Sequence, residues 1–109
     1  HDPAWVKYLA DRLGLAALLR RYPEQLSGGQ HQRVAIGRAL AGKPALVLAD
    51  EPTGSLDEAS SDEVLDLLLE LVGEAGSSVL MVTHSRRLAD RLARRCFLHA
   101  GRVQAETAG

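Results

Sequence analysis

The sequence predicts an α/β layered fold with a mainly parallel sheet. Two short, continuous apolar runs, 45–49 and 78–83, each end in polar residues, as strands buried on both faces of a parallel sheet do. A long segment with apolar residues at helical spacing, about 58–74, joins them. Further helix-spaced segments lie before the first run and after the second, so strands alternate with helices, the pattern of an α/β layer architecture.

In order along the chain, residues 4–13 repeat apolar side chains at helical spacing (Ala4, Trp5, Tyr8, Leu9, Leu13), and Gly14 stands where such a helix ends. Trp5 and Tyr8 read as packing residues. A short second helix is expected over 15–21, broken by Tyr22-Pro23. The polar turn Leu26-Ser27-Gly28-Gly29-Gln30 then runs into a helix reaching about Ala41, stopped by Gly42 and Pro44. Ser27 is suited to cap this helix, because its hydroxyl can accept from an orphaned N–H of the first turn.

After the first strand, Pro52, Gly54 and Ser55 mark a loop. The helix over 58–74 carries Val64, Leu67, Leu68, Leu71 and Val72 as its core stripe. Glu58, Asp62 and Glu63 load its first turns with the charge that the helix dipole favours, and Gly73 and Gly76 are expected to end it. A further helix is expected over 86–94, with Leu88 and Leu92 inward. Residues 96–99 and 102–104 read as two strands about an Ala100-Gly101 turn, and the tail from Ala105 as loose.

The 109 residues suffice for one domain with a modest core. The chain is 46% apolar and 25% charged, as in ordinary globular proteins, and its net charge of −1 argues neither for nor against a nucleic-acid partner. Arg86-Arg87 and Arg94-Arg95 read as a solvated helix face rather than a nucleic-acid patch. Cys96 is the single cysteine, which excludes an internal disulfide and a cysteine-based zinc site. No apolar run approaches the length that spans a bilayer. The chain begins at His1, which suggests a processed chain or a piece of a longer one.

The chemistry concentrates at strand ends and at the double-glycine turn. Ligands of open α/β sheets bind at the carboxyl ends of strands, where Asp50-Glu51 and His84 would face one crevice. A carboxylate after a buried strand suits Mg2+ completed by water and phosphate. A second one beside it can polarise an attacking water, and a nearby histidine can donate to developing phosphate charge. The bare glycines after Ser27 let an anion approach free N–H groups and the positive end of the helix dipole. Taken alone, each feature also has a plainer reading: an ordinary capped helix start, a polar turn, a surface histidine. His1, His31 and His99 have no partners at ligand spacing. Residues 37–43 match G-x-x-x-x-G-K, but Pro44 stands where Ser or Thr must place a hydroxyl on Mg2+. Their glycines also lie within and at the end of a helix with a strand following, so the match is rejected.

On these residues the chain resembles the ATP-binding subunits of ABC transporters. Leu26-Ser27-Gly28-Gly29-Gln30 is similar to the family's signature motif. Leu46-Val47-Leu48-Ala49-Asp50 is similar to its Walker B strand, followed by Glu51 at the catalytic glutamate position. Ser55-Leu56-Asp57 resembles the D-loop and His84 the switch histidine. The wording of residues 48–57 is similar to the exporter branch that includes lipoprotein-release and macrolide-export ATPases. Ser85 stands where an acid usually follows the histidine, and Ala100-Gly101 replaces the usual Asp-Gly turn.

The resemblance implies a partial P-loop NTPase (RecA-like) fold: residues 1–41 would be the end of a helical subdomain with the signature helix, and 45–109 the core from Walker B onward. It covers the C-terminal half of the family's domain, with the Walker A loop, the adenine-stacking aromatic and the Q-loop glutamine expected before His1. The Walker A strand would lie between the strand ending at His84 and that around Phe97, so its absence would leave the 79–82 run as an unpaired apolar edge.

The resemblance further implies ATP and Mg2+ as cofactors and a head-to-tail pair of subunits. Ser27, Gly28 and Gly29 would contact the γ-phosphate of the partner's nucleotide, and Gln30 would shape the signature turn. Asp50 would organise Mg2+, Glu51 would activate water, His84 would sense the γ-phosphate, and Asp57 would link the two sites. Hydrolysis would power export or lipid or lipoprotein transport through transmembrane subunits, from the inner face of the cell membrane, with no nucleic acid involved. The chain by itself would be inactive. Two other readings are a head segment of a DNA-repair or chromosome-maintenance ATPase, disfavoured by Gln30 and Pro52-Thr53-Gly54, and a non-enzymatic module lending a signature face to a partner.

Overall fold

The computed structural model describes residues 2–15, 27–54 and 56–105. The elements are α1 (Pro3–Leu13), α2 (Gly28–Leu40), β1 (Leu46–Asp50), α3 (Glu58–Ala75), β2 (Ser78–Val82), α4 (Arg86–Ala89), β3 (Cys96–His99) and β4 (Arg102–Ala105). The expected helix over 15–21 falls almost entirely outside the described residues.

Helix α1 starts where Asp2 accepts the N–H groups of Ala4 and Trp5, and ends at Gly14 in the left-handed region (φ 68°). Its inward face is Trp5, Leu9 and Leu13. The Trp5 indole N–H donates to the Leu40 carbonyl at 2.8 Å, satisfying one of the last carbonyls of α2. Tyr8 stacks outside on Trp5, with ring centroids 5.8 Å apart. Gly37 lies where α1 ends against α2; a Cβ there would stand 2.8 Å from Leu15 Cδ1.

Helix α2 ends at Leu40 with Ala41 as its C-cap, just before Gly42 and Pro44, as expected. The positive φ falls on Lys43 (48°), not on Gly42. Lys43 is held there by its N–H to the Leu40 carbonyl at 3.0 Å, and its ammonium lies 5.1 Å from the Trp5 ring centroid and 3.6 Å from Asp2.

Strands β1 and β2 pair in parallel, Leu46 opposite Ser78 through Asp50 opposite Val82, and among the described residues they pair only with each other. The expectation that both are buried on two faces is corrected. Val47, Ala49, Val79 and Met81 face the helices, whereas Leu46, Leu48, Leu80 and Val82 are all more than half exposed. Strand residues alternate between faces, and among the described residues helices cover only one of them.

Helix α3 supplies most of the core through Val64, Leu65, Leu68, Leu71 and Val72. Leu65, not in the expected stripe, is fully buried, and Leu67 is only half-buried. Gly73 lies within the helix; Gly76, at φ 71°, is what ends it. The helix expected over 86–94 is a single turn, Arg86–Ala89, capped by Ser85. Beyond it the N–H groups of Arg91 and Leu92 bond three residues back, to Leu88 and Ala89, so the path tightens out of the α form. Leu88 is buried, as expected, and Leu92 half-buried.

The arginines here are not simply solvated. Arg87 pairs with Asp62, and Arg91 with Asp66, which ties the segment after β2 to α3. Strands β3 and β4 form an antiparallel hairpin, with Ala100 and Gly101 both left-handed (φ 51° and 78°), as a two-residue type I′ turn requires.

Candidate functional site

Two clusters of polar side chains stand on this frame. The first is built on helix starts. Ser27 Oγ accepts the Gln30 N–H at 3.2 Å, and Gln30 Oε1 accepts the Ser27 N–H at 2.9 Å, a reciprocal capping box. Gln30 thus holds the turn in shape from its own side chain. Gly28 and Gly29 are the first residues of α2, and the space where a Gly29 Cβ would project is open.

Asp57 caps α3, its carboxylate accepting the Ser60 N–H at 2.7 Å, and this bond holds the carboxyl below its usual range. The two helix starts open onto one cleft of about 390 Å³, lined by Ser27, Gly28, Gly29, Gln30, Asp57 and Ser60. Arg33 and Glu63, paired at 2.7 Å, also line it. The start of α2, with its bare Gly28–Gly29 backbone, is the part of the cleft suited to an anion, since the start of α3 is already capped by the Asp57 carboxylate.

The second cluster lies at the carboxyl ends of β1 and β2. Asp50 ends β1 and is exposed. Glu51 follows in the left-handed region (φ 46°), and its N–H donates to the Val82 carbonyl at 2.7 Å, one pair beyond the ladder. This backbone turn sends the Glu51 carboxylate across to the residues after β2. Oε1 accepts the His84 backbone N–H and lies 3.8 Å from His84 Nε2, while Oε2 accepts the Thr83 hydroxyl at 3.2 Å. The His84 ring itself is 98% exposed.

Two backbone hydrogen bonds among the described residues lie between Glu51 and Asp57. The Gly54 N–H bonds the Glu51 carbonyl and the Leu56 N–H bonds the Thr53 carbonyl, each at 3.1 Å, and Thr53 is buried.

The structure therefore brings Glu51 and His84 together, with Asp50 next to Glu51 at the end of β1, and separately Ser27, Gly28, Gly29, Gln30 and Asp57. None of Asp50, Glu51 and His84 lines the first cleft. Among the described residues no group of three or more His, Cys, Asp or Glu is arranged to hold a metal ion. Sequence reasoning passed over Thr83, whose signal was a hydroxyl residue between a buried strand and the histidine. It also passed over Arg33 and Glu63, which lie thirty positions apart and meet only through the packing of α2 on α3.

Residues 1–54 match the family described as ABC transporter. The lipoprotein-releasing system ATP-binding protein LolD of Novosphingobium aromaticivorans is 56% identical over 93 residues, which are 85% of this chain and 42% of that protein. The chain belongs to the ABC transporter family. The lipoprotein-releasing relative agrees with the branch expected from residues 48–57.

Solved structures of the family carry the same fold. A dimeric ATP-binding cassette in a post-hydrolysis state, bound to ADP and Pi, superposes with a TM-score of 0.70 at 38% identity over 91% of this chain and 46% of that one. An inward-facing ABC transporter assigned to the metal-chelate type gives a TM-score of 0.81 at 34% identity over 93% of this chain and 41% of that one. This is the P-loop NTPase fold of ABC ATPases. The chain spans about two fifths of the length of the curated relatives it matches. No helix among the described residues is long and apolar enough to cross a membrane.

Proposed function

We propose that this chain is the C-terminal part of an ATP-binding, ATP-hydrolysing subunit of an ABC transporter. Residues 1–41 would be the end of its helical subdomain and 45–109 its catalytic core from Walker B onward. The observation that carries the reading is the separation of the two clusters. The Ser27 turn and Asp57 line a cleft of their own, while Glu51 and His84 meet at the strand ends outside it, beside the end of β1 at Asp50. A site divided in this way needs a second nucleotide-binding surface to complete each half. A dimeric relative whose structure is described as bound to ADP and Pi supports the same arrangement.

In this reading Ser27, Gly28 and Gly29 contact the γ-phosphate of nucleotide held by a partner subunit. The Ser27 oxygen accepts from Gln30 N–H, which leaves its hydroxyl proton to donate outward. Asp57 lies on the same cleft, six residues after Glu51, and would link the two sites.

The residues present fit Mg2+. The ion keeps several waters and takes one or two carboxylates plus phosphate oxygens, so a single exposed carboxylate at a strand end, Asp50, is enough from this chain. When bound, it neutralises charge on the transferring phosphate. Glu51 orients and accepts a proton from the attacking water, and the exposed His84 ring donates to the γ-phosphate. Catalysis is then positioning and charge stabilisation, as in phosphoryl transfer generally. The subunit would act in a head-to-tail pair on transmembrane transporter subunits, at the inner face of the membrane, with lipid or lipoprotein release as the favoured work. The lipoprotein-releasing relative supports that last point.

Glu51→Gln in the complete subunit tests the assignment. Steady-state turnover should fall at least 100-fold while ATP affinity is kept; undiminished turnover would remove Glu51 from its role. The 109-residue chain, which holds only one side of each composite site, should not bind Mg·ATP in the micromolar range by calorimetry. Micromolar, magnesium-dependent binding would refute the division of the site.

A further inference from the structure

The carboxylate of Glu51 is fixed by a group that neither the motif pattern nor the reading above assigns. Thr83 Oγ1 donates to Glu51 Oε2 at 3.2 Å and accepts the Ser85 N–H at 3.0 Å. With one lone pair of this hydroxyl taken by the Ser85 N–H, its proton is directed at the nearby carboxylate oxygen, Glu51 Oε2.

The corner that carries Thr83 is itself anchored. Ser85 Oγ accepts the Leu88 N–H at 3.3 Å, Leu88 is buried in the core, and Arg87 and Arg91 pair with Asp62 and Asp66 of α3. On the other side, Glu51 is thrown toward Thr83 by its left-handed backbone and its N–H bond to Val82. A hydrogen-bonded line thus runs from the packed α3–α4 contact through Ser85 and Thr83 to one oxygen of Glu51. The other oxygen is held by the His84 N–H.

We propose that Thr83 is a positioning residue for Glu51: its hydroxyl sets the rotation of the carboxylate, so that the lone pairs not taken by Thr83 and His84 face the attacking water. The inference rests on the assignment of Glu51 as the base for ATP hydrolysis. Removing the donor frees Oε2 to rotate about the remaining His84 contact. A misplaced base lowers the rate of the chemical step without altering nucleotide binding, which is made by other residues.

The test uses the complete ATP-binding subunit in its transporter, with ATPase kinetics of Thr83→Val, Thr83→Ser and Glu51→Gln. Valine keeps the shape and the strand preference of threonine but removes the hydroxyl. Expected for T83V is a kcat about 10-fold lower, with KM for ATP within twofold of wild type and an unchanged melting temperature. T83S, which restores the donor, should recover most of the lost turnover. A T83V kcat equal to wild type overturns the proposal. So does a T83S variant as impaired as T83V, or a loss confined to KM.

The two readings fail separately. If E51Q is inactive while T83V is unaffected, only the role of Thr83 falls. If E51Q turns over ATP like wild type, the assignment of Glu51 falls, and the role of Thr83 with it.

Discussion

The half-covered sheet makes a quantitative prediction about two leucines. Leu65 on α3 is 0% exposed and Leu48 on β1 is 71% exposed. Truncating a fully buried leucine to alanine costs about 2–5 kcal/mol, through lost transfer energy and the cavity left behind. Leu48 keeps roughly three tenths of its surface buried, so of the ~1.5–3 kcal/mol that full burial of a leucine contributes, it holds only about 0.5–0.9 kcal/mol. Urea unfolding of the 109-residue chain, followed by circular dichroism, would compare Leu48→Ala with Leu65→Ala. With a slope of about 1–1.5 kcal/mol per molar urea, L48A should move the midpoint by less than ~1 M, and L65A by ~1.3 M or more, or abolish the transition. Equal losses would refute the reasoning, since they would mean that the outer face of β1 and β2 is covered in solution. A loss for L48A that grows with protein concentration would identify copies of the chain as the cover.

Two further outcomes follow from backbone and capping geometry. Ala100 holds a left-handed conformation that costs a non-glycine residue about 1–2 kcal/mol. Ala100→Asn, a residue that tolerates this region, should stabilise the β3–β4 hairpin by about 0.5–1 kcal/mol, read as slower amide exchange of the two strands; faster exchange would contradict the type I′ assignment. Asp57 has its folded pKa lowered below 3.8 by the Ser60 N–H. A depressed carboxylate pKa contributes stability that is complete above the unfolded value and lost as pH falls through the folded one. Asp57→Asn keeps a capping oxygen but does not titrate, so the variant should be less stable than wild type at pH 7, and the gap should close below pH ~4. A gap of the same size at pH 7 and pH 3, measured by urea midpoints, would show that Asp57 gains nothing from its charge.

Much of the local structure was legible because it depends on neighbours in sequence. Asp2, Ser27, Asp57 and Ser85 cap helices with atoms three or fewer residues away, and the Ser27–Gln30 capping box is spelled out by the turn itself. The apolar spacing of 58–74 marked the helix that carries most of the core. What was misread depended on distant chain. A continuous apolar run does not say whether one or two layers cover it, so Leu46, Leu48, Leu80 and Val82 read as buried. The segment after Ser85 kept helical spacing to 94, yet its arginines turn to meet acids of α3, some 25 positions earlier.

The same division holds at the candidate site. Residue types and order alone marked Ser27 to Gln30, Asp50, Glu51 and His84, because an anion-binding turn and strand-end carboxylates are local chemistry, while Asp57 entered only through the resemblance to ABC transporter subunits. The family followed from those motifs. Which of them share a surface did not. That Asp57 opens on the Ser27 cleft is decided by the packing of α2 on α3, and that Glu51 turns toward Thr83 and His84 by the parallel pairing of β1 with β2 and by a left-handed Glu51. The Glu51 carboxylate meets the Thr83 hydroxyl and the His84 N–H, 32 and 33 positions on, only because two strands align their ends, and no spacing along the chain encodes that alignment.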